Sequence, residues 1–147
     1  MSLKDQTVLI TGASMGIGAA IARRLAAESA TLVLFARSDD KLKGFAEELK
    51  RANKGLKVVT TVVDVQDHKA LSTAVSNVVK ELGHIDVLIN NAGLALGAPN
   101  AFPDLKIEDV ITMTGTNING FMFATYAVLN EGKMNERGKG KTIYFVS

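Results

Sequence analysis

The chain has 147 residues, 47% of them hydrophobic and 22% charged, the balance of one soluble globular domain rather than of a disordered or fibrous chain. Seventeen Lys and Arg against fifteen Asp and Glu leave a net charge of +2, too even to point to nucleic acid or an anionic membrane as a partner. The absence of cysteine excludes a disulfide framework, a thiolate nucleophile, a Cys-ligated zinc and an iron–sulfur cluster, and makes a cytoplasmic setting the default.

From the N-terminus, Thr7-Val8-Leu9-Ile10 is a compact apolar run that ends at Thr11-Gly12. The uncharged stretch from Gln6 to Ala22 could pass for a membrane span, but it is broken by Gly12, Gly16 and Gly18 and is shorter than the roughly 20 residues a span needs. It reads instead as a buried strand, a glycine turn and a helix whose inner stripe is Ile17, Ala20, Ile21 and Leu25. Thr31 to Phe35 is a second dense run. After Ser38, an N-cap candidate, Leu42, Phe45, Ala46 and Leu49 recur at helical spacing. Leu56 to Val63 is a third run, rich in β-branched residues, and Asp67 is placed to cap a helix with Leu71, Ala74, Val75, Val78 and Leu82 on its inner face. Ile85 to Ile89 is a fourth run, followed by Asn90-Asn91-Ala92-Gly93. A loop with Pro99 and Pro103 leads to a helical stretch from about Ile107 to Leu129, and a fifth strand begins at Thr142. Continuous apolar strands alternating with amphipathic helices predict a parallel sheet covered on both faces. Right-handed crossovers then favour one α/β domain over residues 1–147, doubly wound in the Rossmann manner with strand order 3-2-1-4-5.

The turn Thr11-Gly12-Ala13-Ser14-Met15-Gly16-Ile17-Gly18 lies between the first strand and the first helix. One glycine there permits a tight turn, another lets backbone approach a pyrophosphate, and a third lets helix pack close to strand. Phosphates would then face free N–H groups at the positive end of the helix. The plain alternative is a tight strand–helix turn with no ligand. About 20 residues beyond the glycines a dinucleotide fold reads the adenosine ribose, and the order here is Phe35-Ala36-Arg37-Ser38. A carboxylate would accept from a free 2′-hydroxyl, whereas the planar fork of Arg37 suits a phosphate. NADP(H) is therefore expected over NAD(H). Asp39 and Asp40 oppose that expectation, either by pairing with Arg37 or by coming near the ribose themselves.

These residues resemble the short-chain dehydrogenase/reductase family. Thr11-Gly12, Gly16 and Gly18 match its Thr-Gly-x-x-x-Gly-x-Gly turn, and Asp64-Val65 resembles the pair whose acid contacts the adenine. Asn90-Asn91-Ala92-Gly93 matches the tetrapeptide that steadies the sheet and lines the cofactor, with Asn91, Ala92 and Gly93 as the contacts. Asn117 in Asn117-Ile118-Asn119-Gly120 corresponds to the catalytic asparagine that holds a water in the proton relay, and Ser147, aligned without a gap, to the catalytic serine or, shifted by one, to the residue before it. The resemblance implies an oxidoreductase that moves hydride between a nicotinamide and a small hydroxy or keto substrate, without a metal. It also implies a homodimer or homotetramer. The run from Asn90 to Gly97 is similar to a subgroup acting on 3-hydroxy acids and serine with NADP.

The family's Tyr-x-x-x-Lys, in which an ammonium lowers a phenol from its ordinary pKa of about 10, has no counterpart here, since Asn130 stands four residues after Tyr126. Gly115 replaces a common aspartate and Asn130 a usual proline. The chain is thus expected to be the cofactor-binding part of a reductase, cut after the fifth strand. The alternative is a nucleotide-binding or partner-binding module without catalysis. His68 and His84 read as solvated histidines, and Phe121, Phe123 and Tyr126 as packing residues. Lys133, Arg137, Lys139 and Lys141 read as a solvated connector.

Overall fold

The computed structural model describes residues 3–28, 30–97, 101–136 and 142–145. Ser147 lies outside them, as do Pro99, Arg137, Lys139 and Lys141. Five strands form one sheet: β1 (Thr7–Thr11), β2 (Thr31–Ala36), β3 (Val58–Val62), β4 (Val87–Asn90) and β5 (Thr142–Phe145). Every pairing is parallel and the order is β3-β2-β1-β4-β5, as the alternation of runs and stripes predicts. Five helices accompany the strands: α1 (Gly16–Ala26), α2 (Asp39–Ala52), α3 (His68–Leu82), α4 (Ile107–Thr114) and α5 (Gly120–Asn130). None of the described helices is long and apolar enough to cross a membrane.

Because successive strand residues point to opposite faces, each central strand feeds two cores. Val8, Ile10, Leu32, Leu34, Val87 and Ile89 pack with Ala22 and Leu25 of α1 and with Leu42, Phe45 and Leu49 of α2. Leu9, Val33, Phe35 and Leu88 pack on the other side with Leu71, Val75 and Val78 of α3 and with Ala124 and Val128 of α5. Covering both faces is what makes the central positions of β1, β2 and β4 continuously apolar, with Thr or Asn only at strand ends.

Three local expectations change. The inner face of α1 is Gly18, Ala19, Ala22, Leu25 and Ala26, whereas Ile17 is 60% exposed and Ala20 is exposed too. Small residues face inward because α1 starts almost in contact with the β1 turn, and the larger Ile17 is displaced towards the open end of the sheet. The single helix expected from Ile107 to Leu129 is instead α4 and α5 joined by a π-helical turn, Gly115–Asn119, in which the Gly120 N–H donates to the Gly115 carbonyl five residues back. At the helix starts, Asp67 caps α3 by accepting from Lys69 N and Ala70 N at 3.1 and 3.0 Å. Ser38 occupies the N-cap of α2, yet its side chain makes no capping bond.

Candidate cofactor site

The chain reverses its winding between β1 and β4, where an open α/β sheet leaves a crevice at the carboxyl ends of its strands. The ends of these two strands are fastened by one side chain each. The Thr11 hydroxyl oxygen accepts from both Asn91 N and Ala92 N at 3.1 Å. Asn91 Nδ2 donates to the Thr11 and Gly12 carbonyls at 3.0 and 3.2 Å. Ala13 N donates to Phe35 O at 3.1 Å, which ties the turn to β2 as well.

Above these bonds lies a cleft of about 440 Å³, within the range of small-ligand sites. Its floor is the glycine turn, with Gly12, Ser14, Met15, Gly16 and Ile17 among the lining. Gly12 and Gly16 have φ of 65° and 56°, the left-handed region that disfavours a side chain. A Cβ on Gly12 would strike Ala92 Cα at 2.7 Å, but one on Gly16 would meet nothing within 4 Å. The backbone at Gly16 is therefore bare on its open side, the form a phosphate cradle takes. Gly18 does not line the cleft. It lies beneath the floor, where a Cβ would meet Gly12 O at 2.5 Å.

The cleft brings together Arg37, Ser38, Asp64, Val65, Asn91, Ala92 and Gly93 from the ends of β2, β3 and β4. Arg37 pairs with neither Asp39 nor Asp40. Its Nη1 lies 4.0 Å from Asp64 Oδ2, across the end of the cleft beside β2 and β3. The Asp39 carboxylate, which threatened the cofactor assignment, is held by Lys43 at 2.6 Å and takes no part in the lining. Five lining residues were not among the sequence candidates: Phe35, Ala36 and Val63 at the strand ends, and Lys41 and Thr116. Lys41 sits one helical turn beyond Arg37, a spacing that marks it as a neighbour once α2 is known to start at Asp39.

Asn117 rides on the π-helical turn beside the cleft. Its Oδ1 accepts from Leu94 N at 2.9 Å and its Nδ2 donates to Leu94 O at 2.8 Å. The amide thus grips the segment after Gly93. Gln66 secures the same turn from beneath: its Nε2 donates to Thr116 Oγ1 at 3.0 Å and its backbone N–H donates to Asp64 Oδ1 at 3.0 Å. Gly115 and Gly120 make that packing possible, since side chains there would meet Gln66 and Val65.

The residues proposed as solvated or packing are partly reassigned. His84 Nε2 lies 3.1 Å from Asp86 Oδ2 at the opposite end of the sheet, and the same carboxylate accepts from Thr7 N at 2.9 Å. His68 is exposed and stacks edge-on with Phe123. Tyr126 does not pack inward, being 67% exposed.

The family profile described as short chain dehydrogenase matches residues 6–147. The chain belongs to that family. It is 40% identical over 136 residues to sulfoacetaldehyde reductase 2 of Chromohalobacter salexigens, covering 92% of this chain and 52% of that protein. It is 42% identical over 128 residues to an NADP-dependent 3-hydroxy acid dehydrogenase of Schizosaccharomyces pombe, covering 86% and 49% respectively. Among solved structures, an actinorhodin polyketide ketoreductase variant with NADPH superposes with a TM-score of 0.89 at 35% identity, over 97% of this chain and 53% of that one. The serine dehydrogenase of Escherichia coli gives 0.82 at 33% identity, over 95% and 61%. The chain thus spans about half the length of the curated relatives it matches.

Proposed function

We propose that this short-chain dehydrogenase takes NADP(H) in preference to NAD(H) and serves an oxidoreductase acting on a small hydroxy or keto compound. The observation that carries the cofactor assignment is the pairing at the tip of β2: Arg37 faces the cleft while Asp39 is drawn off by Lys43. A guanidinium there suits a ribose phosphate and leaves no carboxylate from that tip to accept a ribose hydroxyl. The bare backbone at Gly16 fits the pyrophosphate. When bound, the cofactor supplies or accepts hydride. This chain's own residues do the holding: the glycine turn takes the phosphates, Arg37 and Ser38 the adenosine ribose, Asp64 and Val65 the adenine, and Asn91, Ala92 and Gly93 the wall towards the nicotinamide. Asn117 keeps that wall in place through Leu94.

For the substrate, the run from Asn90 to Gly97 and the relatives named for 3-hydroxy acids and serine support a short hydroxy acid. A second reading, binding without turnover, is favoured by the tyrosines. Among the described residues neither Tyr126 nor Tyr144 lines the cleft. Under either reading Arg37→Asp weakens NADPH binding at least tenfold more than NADH binding, on the order of the worth of a charge-assisted pair. Titration of both cofactors by nicotinamide fluorescence measures this. Equal losses defeat the assignment to NADP(H), and turnover of a 3-hydroxy acid by the chain defeats the second reading.

A further inference from the structure

The charged groups around α2 are mostly matched in pairs. Lys43 meets Asp39, Lys50 meets Glu47 at 3.2 Å, and Arg23 meets Glu48 at 2.8 Å. Lys57 lies 4.0 Å from Glu81 at the far side. Lys41 has no such partner among the described residues, and it lines the cleft on the same wall as Arg37 and Ser38. Arg37, by contrast, is already drawn towards Asp64. The adenosine end therefore holds two cations against one carboxylate, and without Lys41 its formal charge falls from +1 to zero. A phosphate monoester carries close to two negative charges at neutral pH, which one guanidinium with an acid beside it matches poorly.

We propose that Lys41 is a specificity-determining residue for the ribose 2′-phosphate, sharing that group with Arg37 and supplying the positive charge that Asp64 offsets. The proposal rests on the NADP(H) reading given above and extends it to a residue four positions beyond the strand tip. Both cations are exposed, so their pull acts through water, is modest, and fades with salt. The expected gain in affinity from Lys41 is about fivefold to tenfold at low ionic strength.

Calorimetric titration of the 147-residue chain with AMP and with its 2′-phosphorylated form tests this. Lys41→Met is expected to weaken binding of the 2′-phosphorylated ligand about fivefold to tenfold, to leave AMP unchanged, and to lose its effect in high salt. Lys41→Arg restores the preference, and Lys43→Met, whose ammonium is held by Asp39, leaves it intact. Equal weakening of both ligands by Lys41→Met, or none, overturns the role of Lys41 while the NADP(H) reading stands, provided the unaltered chain still prefers the 2′-phosphorylated ligand. If the unaltered chain shows no such preference, the cofactor reading falls and this proposal with it. A change in the circular dichroism of Lys41→Met shifts the decision to Lys41→Gln, scored by the same two titrations.

Discussion

Two pairs of glycines bring main chain into close packing in this molecule, and they face different neighbours. Gly12 and Gly18 close the turn beneath the cleft, where an added Cβ would press on Ala92 Cα and on the Gly12 carbonyl. Gly115 and Gly120 bracket the π-helical turn, where it would press on the side chains of Gln66 and Val65. Backbone fixed by sheet hydrogen bonds cannot move aside, but a glutamine amide can swing to another rotamer. The first contact therefore sets a rigid floor for the cleft. The second leaves an adjustable seat for Asn117.

Gly12→Ala sharpens the contrast most, because it combines a left-handed φ with a backbone clash. A loss of about 3–5 kcal/mol is expected, a large part of a typical domain's stability, and urea denaturation measures it. A loss below about 1 kcal/mol would mean the floor yields after all. Gly16→Ala separates folding from binding within the same turn. Its open surroundings limit the stability cost to about 1–2 kcal/mol from φ alone, while nucleotide affinity drops more than about tenfold because the methyl stands where a phosphate approaches. Denaturation and calorimetry on one variant give both numbers, and undiminished affinity would remove the phosphate from that surface.

Gly115→Ala should be close to neutral. Displacing the Gln66 amide forfeits a bond worth about 1 kcal/mol, and alanine in place of a helical glycine returns about the same. Destabilisation above about 2 kcal/mol would show that the seat is as rigid as the floor. The smallest effect belongs to the exposed pair on the outer face. The Arg23 guanidinium, by hydrogen bond and charge, holds the Glu48 carboxyl below its ordinary range. That contribution is present above the unfolded carboxylate pKa and is lost as pH falls through the lowered folded value. Glu48→Gln should lower stability slightly at neutral pH and converge with the unaltered chain as pH falls through the lowered carboxyl value, as thermal melts across pH will show.

The sheet order was legible because strands buried on both faces must be continuously apolar, and the stripes of α2 and α3 were read correctly for the same reason. The face of α1 was not. Periodicity favoured Ile17 and Ile21, but closeness to the Gly12 turn admits only Gly18, Ala19 and Ala22 inside. The π-helical turn was equally invisible, since its cause is the packing of Gln66 and Val65 against Gly115 and Gly120, residues some 50 positions away in sequence. Around the cleft, local spacing picks out the glycine turn and Arg37, and both lie in its lining. Lys41 and the Arg37–Asp64 approach required the start of α2 and the end of β3 to be placed in space.

Thr11 carries a broader meaning for how the cleft works. A single hydroxyl oxygen stitches the two oppositely wound halves of the sheet together at their seam. With β1 and β4 sewn in this way, neither half slides past the other to admit a nucleotide. The seam of the groove is thus built from the protein's own hydrogen bonds, in the strand ladder and at Thr11.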